Sequence, residues 1–163
     1  DPASVVGDPD NYFLVTNATT LKAQMTKAFN DILQNTNSVT AVSVDVPEDL
    51  PLVSADPGLL ERVLANLLEN AIRHGGGGPV EVVARTGELD AHVKVVDHGP
   101  GVPAAQREGL FQPFVRAGDG TRQGAGLGLT VARGFAEAMS GVLIADGSDG
   151  GGLTMRLRLP LAQ

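Results

Sequence analysis

The nineteen residues from Asp56 to His74, DPGLLERVLANLLENAIRH, constrain this chain more than any other stretch. Leu59, Leu60, Val63, Leu64, Leu67, Leu68, Ala71 and Ile72 recur at three- and four-residue spacing, the period of a helix with one apolar face. Asp56 stands where a side chain caps the first free N–H groups, and Pro57 suits the first helical position. Asn66 and Asn70 lie one turn apart on another face, with Arg73 within reach of Asn70. Asn is a middling helix former, so two of them in a strong helix ask for a reason. A solvated face, a helix-to-strand hydrogen bond and a ligand site would each supply one.

At 163 residues the chain fits one domain with a real core, and its 42% apolar content is that of a globular protein. No run approaches a membrane-spanning length, and no signal-peptide pattern opens the sequence. With no cysteine, a disulfide framework and a thiolate metal site are excluded, which fits the cytoplasm. A net charge of −7 argues against general binding of nucleic acid or anionic membrane. It does not exclude an anionic nucleotide held by local backbone N–H groups and a metal ion. The chain opens at Asp1 without Met, which suggests a processed or excised piece.

Residues 1–40 differ in accent from the rest. They hold Asn11, Asn17, Asn30, Asn35 and Asn37, with Lys22 and Lys27 and no arginine; nine arginines and only Lys94 follow. Such a switch suggests two sequence origins, a fusion or graft. Tyr12–Val15 reads as a short strand, and Leu21–Leu33 as an amphipathic helix capped by Thr19 or Thr20. From Ala41 the pattern turns β: AVSVDV alternates, and LPLVSAD leads into the central helix. Gly75–Gly78 ends that helix. PVEVVART and AHVKVVD then alternate on either side of Gly87–Asp90, as an antiparallel hairpin does. Pro103–Leu110 reads as a short helix, Phe111–Gln123 as a polar mobile loop, and Leu127–Met139 as a second long helix. VLIADG and LTMRLRLP close the chain as strands around Gly150–Gly152. The expected class is α+β: a two-layer sandwich with one mixed, mostly antiparallel sheet and helices on one face. The unit that follows the odd-accented opening would span 41–163.

Asp97-His98-Gly99-Pro100-Gly101 ends a strand. Its carboxylate suits a donor on a flat ligand, and its glycines admit that ligand to the backbone; a tight turn explains the same residues. Gly124-Ala125-Gly126-Leu127-Gly128-Leu129 runs into a helix, where free N–H groups and the positive dipole end attract an anion. It is neither a Walker A loop nor a Rossmann fingerprint, and a flexible hinge is its alternative reading. Phe111-Gln112-Pro113-Phe114 has the look of a small apolar latch. Arg116 and Arg122 are the loop's cations, either phosphate contacts or solvated residues. His74, His92 and His98 lack the spacing of a zinc site, and no nucleophile elbow occurs.

The combination is more telling than its parts. In order it reads N-x-x-x-N on a helix, D-x-G-x-G after a strand, F-x-x-F, G-x-G-x-G opening a helix, and a Gly-Gly turn before the last strand. This resembles the catalytic, ATP-binding domain of sensor histidine kinases in the Bergerat-fold ATPase/kinase superfamily. ERVLANLLENAIRHG, VVDHGPGVP and GAGLGL look like the potassium-responsive KdpD type, over about Val46–Leu161. The resemblance implies ATP and Mg²⁺ as ligands. Asn70 would hold Mg²⁺ with Asn66 beside it, and neutral oxygens plus phosphates suit that ion. Arg73 would meet phosphate. His74 would stand where the family often has an aromatic beside adenine. Asp97 would accept from the adenine amino group, with Gly99 and Gly101 giving room. Gly124, Gly126, Leu127 and Gly128 would form the lid hinge and the phosphate-facing helix start. Leu153 stands where many relatives have Thr or Ala. Separately, NYFLVTNATTLKAQMTKAFNDILQNTNSVTAVSV resembles the last strand, helix and tail of the von Willebrand A-like domain of pilus-tip adhesins, without a metal motif.

The family's phosphoacceptor helix pair has no counterpart here, since none of the three histidines has the required sequence context. The implied activity is therefore transfer of the γ-phosphoryl group to a histidine on a separate phosphoacceptor domain, with a response regulator as indirect partner. The setting would be the cytoplasmic portion of a membrane-anchored sensor. Hydrolytic relatives of the gyrase or MutL type keep a general-base Glu where this chain has Asn66, which disfavours hydrolysis. Glu69, about 100° around the helix from Asn70, is the candidate carboxylate for catalysis, with a solvated helix residue as its alternative. A non-catalytic nucleotide-binding module in a fusion is the third reading.

Overall fold

The computed structural model describes residues 15–16, 22–23, 26–27, 30, 41–51, 53–113 and 128–162. Strands β1 (Val15–Thr16), β2 (Val42–Asp45) and β3 (Val53–Ser54) precede the long helix α1 (Pro57–His74). The hairpin β4 (Val80–Thr86) and β5 (Asp90–Val96) follows, then a single-turn helix α2 (Ala104–Arg107) and a 3-10 turn (Glu108–Phe111). Helix α3 (Gly128–Ala138) and strands β6 (Val142–Gly147) and β7 (Leu153–Pro160) complete the order. Lys22, Ala23, Thr26, Lys27 and Asn30 are helical; the rest of the helix expected over 21–33 lies outside the described residues.

One five-stranded sheet has the order β2-β4-β5-β7-β6, with β2 parallel to β4 and every other pair antiparallel. Period-2 alternation sorts its faces. Val80, Val82, Ala84, Ala91, Val93, Val95, Met155, Leu157 and Leu159 point to one side and are buried. Apart from Val83 and His92 the residues between them carry charge, and Arg85–Asp45 (2.7 Å), Arg158–Asp90 (3.3 Å) and Arg156–Asp146 (3.4 Å) pair on the other side. His92 belongs to that outer face, 2.7 Å from Asp90. Among the described residues no group of His, Cys, Asp and Glu could hold a metal ion. The expected two-layer α+β sandwich is therefore the observed one, with α1 and α3 packed together on the apolar face of the sheet.

Helix α1 forms for the reasons its sequence advertises. Asp56 is the N-cap, its Oδ1 accepting from Gly58 N (2.8 Å) and Leu59 N (3.1 Å), and Pro57 opens the helix. Leu60, Val63, Leu64, Leu67, Leu68, Ala71 and Ile72 are buried, each large side chain contributing roughly 1.5–3 kcal/mol relative to exposure. The cap is a separate, smaller term. Asp56→Ala is expected to lower stability by about 1 kcal/mol, read as a shifted urea midpoint with unchanged slope.

Two features depart from expectation. The stretch read as one helix over 103–110 is a single α turn followed by a tighter 3-10 turn. Four residues are too few to sustain α-helical hydrogen bonding, and Gly109 weakens any continuation. Second, β1 pairs antiparallel with β3 in a small sheet of its own, Val15 opposite Ser54, and Lys27 reaches Glu61 of α1 at 2.7 Å. The two-residue strand β3 shows no alternation that would reveal a partner.

Candidate functional site

The last turns of α1 meet the end of β5 through glycines. A Cβ at Gly99 would strike the His74 carbonyl oxygen, so only glycine lets the D-x-G-x-G turn lie against the helix end. Gly101 has φ +74, and its Cα faces Gly152 of the β6–β7 turn. Gly152 in turn has φ +95 and abuts the Asp97 carbonyl oxygen. Of these, Gly99 and Gly101 were expected to give a ligand room beside Asp97, and Gly152 to lie in a turn. What the three glycines do here is bring three chain segments together.

Asp97 sits at that junction, 3% exposed. Its Oδ1 accepts from Gly99 N (3.0 Å) and Leu153 N (3.1 Å), and its own N–H donates to the Leu153 carbonyl at 2.9 Å. Among the described residues Oδ2 accepts no hydrogen bond. Asp97 Oδ2 is not among the buried side-chain atoms lacking a partner, so it reaches the surface as an acceptor open to a donor. The tight-turn reading of D-x-G-x-G accounts for Oδ1, and Oδ2 stays available to a ligand. Leu153 contributes its backbone here, while its buried apolar side chain shares the inner face of the sheet. The nearby hydroxyl, Thr154, bonds to Ser148 at 2.8 Å.

Asn66 and Asn70 are half-buried on α1, and among the described residues neither amide has a hydrogen-bond partner. The helix-to-strand bond offered as their alternative explanation is therefore absent from the described residues. Gly128, the first residue of α3, lies against Asn66: a Cβ there would be 3.8 Å from Asn66 Oδ1. From Asn66 to Gly75 is nine residues of helix, about 13 Å at the usual rise. An acceptor thus stands at one end of α1, two free amides partway along it, and a helix N-terminus beside the farther amide. Free amide oxygens near a helix start fit a hard divalent cation that shares phosphate oxygens.

The remaining candidates divide. Glu69 and Arg73 form an i,i+4 ion pair at 2.5 Å, with side-chain exposures of 41% and 36%. The Arg73 guanidinium, expected at phosphate, is thus engaged with Glu69. His74 is exposed at the helix end, and its carbonyl lies against Gly99. Arg116, Arg122, Gly124, Gly126 and Leu127 lie outside the described residues, as do Phe114 and most of the expected mobile loop. Sequence reasoning missed the Glu108–Arg133 contact at 2.5 Å, formed across 25 positions with no spacing signal.

Comparison with known proteins agrees with this geometry. Residues 55–163 match the family described as histidine kinase-, DNA gyrase B- and HSP90-like ATPase. Sensor protein KdpD of Mycobacterium tuberculosis (strain ATCC 25618 / H37Rv) is 46% identical over 124 residues, 76% of this chain and 14% of that protein. Sensor protein KdpD of Rathayibacter rathayi is 43% identical over 122 residues, 74% of this chain and again 14% of the relative. The chain thus spans about a seventh of the length of these relatives. Among solved structures, the catalytic domain of histidine kinase ThkA has a TM-score of 0.74 at 26% identity, covering 93% of this chain and 97% of that one. Full-length ShkA in complex with AMPPNP has a TM-score of 0.75 at 25% identity, covering 94% of this chain and 32% of that one. Fold, motifs and relatives agree: the chain belongs to the histidine kinase-, DNA gyrase B- and HSP90-like ATPase family, as an ATP-binding domain of the sensor histidine kinase type.

Proposed function

We propose that this domain binds ATP·Mg²⁺ along α1 and transfers the γ-phosphoryl group to a histidine on a separate phosphoacceptor domain. The observation that carries the reading is the buried Asp97 carboxylate with Oδ2 free to accept from the adenine amino group. Asn70, with Asn66 beside it, would hold Mg²⁺ through side-chain oxygen. Bound there, the ion would neutralise charge that builds on the phosphates. Gly124, Gly126, Leu127 and Gly128 would aim backbone N–H groups at phosphate, and Arg73 and Arg116 would add positive charge. His74, Gly99 and Gly101 would border the base.

Positioning and electrostatic stabilisation do most of the work in such a transfer. Glu69 is the proposed carboxylate for proton acceptance, and it stands in an ion pair with Arg73. Asn66 is an amide and accepts no proton, which weighs against hydrolysis. Residues 1–40 are proposed as a segment of separate origin, with the ATP-binding domain beginning near residue 41. A cytoplasmic position and an indirect response-regulator partner follow from the same reading. Among the described residues no helix is long and apolar enough to cross a membrane.

The test uses labelled ATP·Mg²⁺. Alone, the domain should neither label itself nor release phosphate appreciably. With a phosphoacceptor domain from a KdpD-type kinase it should label that domain's histidine. Glu69→Gln should slow the transfer about tenfold or more while changing ATP affinity little. Steady phosphate release by the isolated chain, abolished by Glu69→Gln, would instead assign it to the ATP hydrolases.

A further inference from the structure

Arg133 stands a little over one turn into α3 and is engaged on three sides. Its Nη1 donates to Glu108 Oε1 at 2.5 Å, and its Nε lies 3.9 Å from Glu137 Oε1 one turn on. Its guanidinium carbon sits 4.1 Å from the centroid of the Phe111 ring. Phe111 itself is 5% exposed, and its carbonyl accepts from Thr130 Oγ1 at 2.7 Å. Thr130 and Arg133, three residues apart, share a face of α3. The helix is thus tied to the 3-10 turn through both the carbonyl and the ring of one buried residue.

The position of that helix end matters for its neighbour. Gly128 lies against Asn66, and Ala132 and Ala136 are fully buried on the core side. The start of α3 is therefore held between α1 and the 3-10 turn. Its first N–H groups have no intrahelical partner, and their attraction for an anion falls off within a turn. Hydrogen bonds weaken steeply with misalignment, so a small shift of this end changes what those N–H groups can hold. The base end of the site is built separately, from Asp97, Gly99 and Leu153 at the ends of β5 and β7.

We propose that Arg133 is a positioning residue: gripped by Glu108 and Phe111, it sets the N-terminus of α3 against Asn66 and so tunes the phosphate end of the nucleotide site, not the base end. This rests on the nucleotide reading above. The Glu108 side chain is 74% exposed, so the charge pair alone contributes little, and the cation over the buried ring carries the rest. Hydrogen bonding to Arg133 nonetheless holds the Glu108 carboxyl below its ordinary value of 4.5. The pair's contribution is thus present above that value and is lost as pH falls through the lowered one.

Arg133→Met keeps a stem of similar length and removes the cation. Dissociation constants would be measured for ATP·Mg²⁺ by calorimetry and for adenosine by NMR titration, in the parent chain, Arg133→Met and Arg133→Lys. The expected result is ATP·Mg²⁺ binding about fivefold weaker in Arg133→Met, with adenosine unchanged within about twofold. Arg133→Lys, which keeps a cation over the ring, should recover most of the loss. Equal weakening of both ligands, or of neither, overturns the proposal. Amide exchange of Ala132–Phe135, the first amides bonded within the helix, supplies an independent arm without nucleotide. It should quicken in Arg133→Met, and unchanged exchange also overturns the proposal. A parent chain that binds neither ligand refutes the nucleotide reading itself, and the exchange arm still decides whether Arg133 holds the helix end.

Discussion

Asp97→Asn is expected to weaken ATP binding about tenfold or more while leaving the domain folded. The amide oxygen of Asn can keep the place of Oδ1, accepting from Gly99 N and Leu153 N as the carboxylate does. The amide nitrogen then replaces Oδ2 and turns a donor toward the adenine amino group. A buried donor facing a donor costs roughly 1–3 kcal/mol. Calorimetry with ATP·Mg²⁺ reads the loss, and a thermal melt near that of the parent shows that the turn has survived. Unchanged affinity would remove Asp97 from the base site.

Asn70→Ala should act at the other end. Its side chain is half-buried and has no hydrogen-bond partner among the described residues, so truncation breaks no described contact. Stability should change by little, because Ala is the better helix former. ADP without metal should bind as before. The gain in ATP affinity that Mg²⁺ provides should fall about tenfold or more, since even residues behind a metal's ligands matter on that scale. Titrations with Mg²⁺ and with EDTA separate the two contributions. If the Mg²⁺-dependent gain persists in the variant, Asn70 is an ordinary helix residue.

Local patterns predicted most of the architecture, because most of it is local. The cap at Asp56, the apolar period of α1 and the alternation of β4, β5 and β7 each follow from residues that are neighbours in sequence. Long-range pairing was less visible. Nothing in Val53–Ser54 announces β1 as its partner, and Glu108 and Arg133 meet only once α3 has docked. The candidate site was legible as separate boxes whose glycines and polar residues make poor sense singly. The geometry adds how they join: Gly152 against Asp97, Gly99 against His74, and Gly128 against Asn66. Leu153 shows the limit well. Its side chain offers no hydrogen bond, yet its backbone N–H fixes the carboxylate, a role that residue identity does not encode. The partnership of Arg73 with Glu69 was likewise open, since i,i+3 and i,i+4 neighbours compete for one guanidinium.

A nucleotide lying along α1 between Asp97 and the start of α3 underlies all of these expectations. Mapping backbone amide shifts while titrating ATP·Mg²⁺ into the isotope-labelled chain tests it most directly. Saturable changes should concentrate at Asn66, Asn70, Gly75, Asp97, Gly99, Gly128 and Leu153, and adenosine alone should reproduce only those at Gly75, Asp97, Gly99 and Leu153. Saturable changes centred on the outer face of the sheet, at Lys94, Arg156 and Arg158, or no saturable change at all, would contradict it.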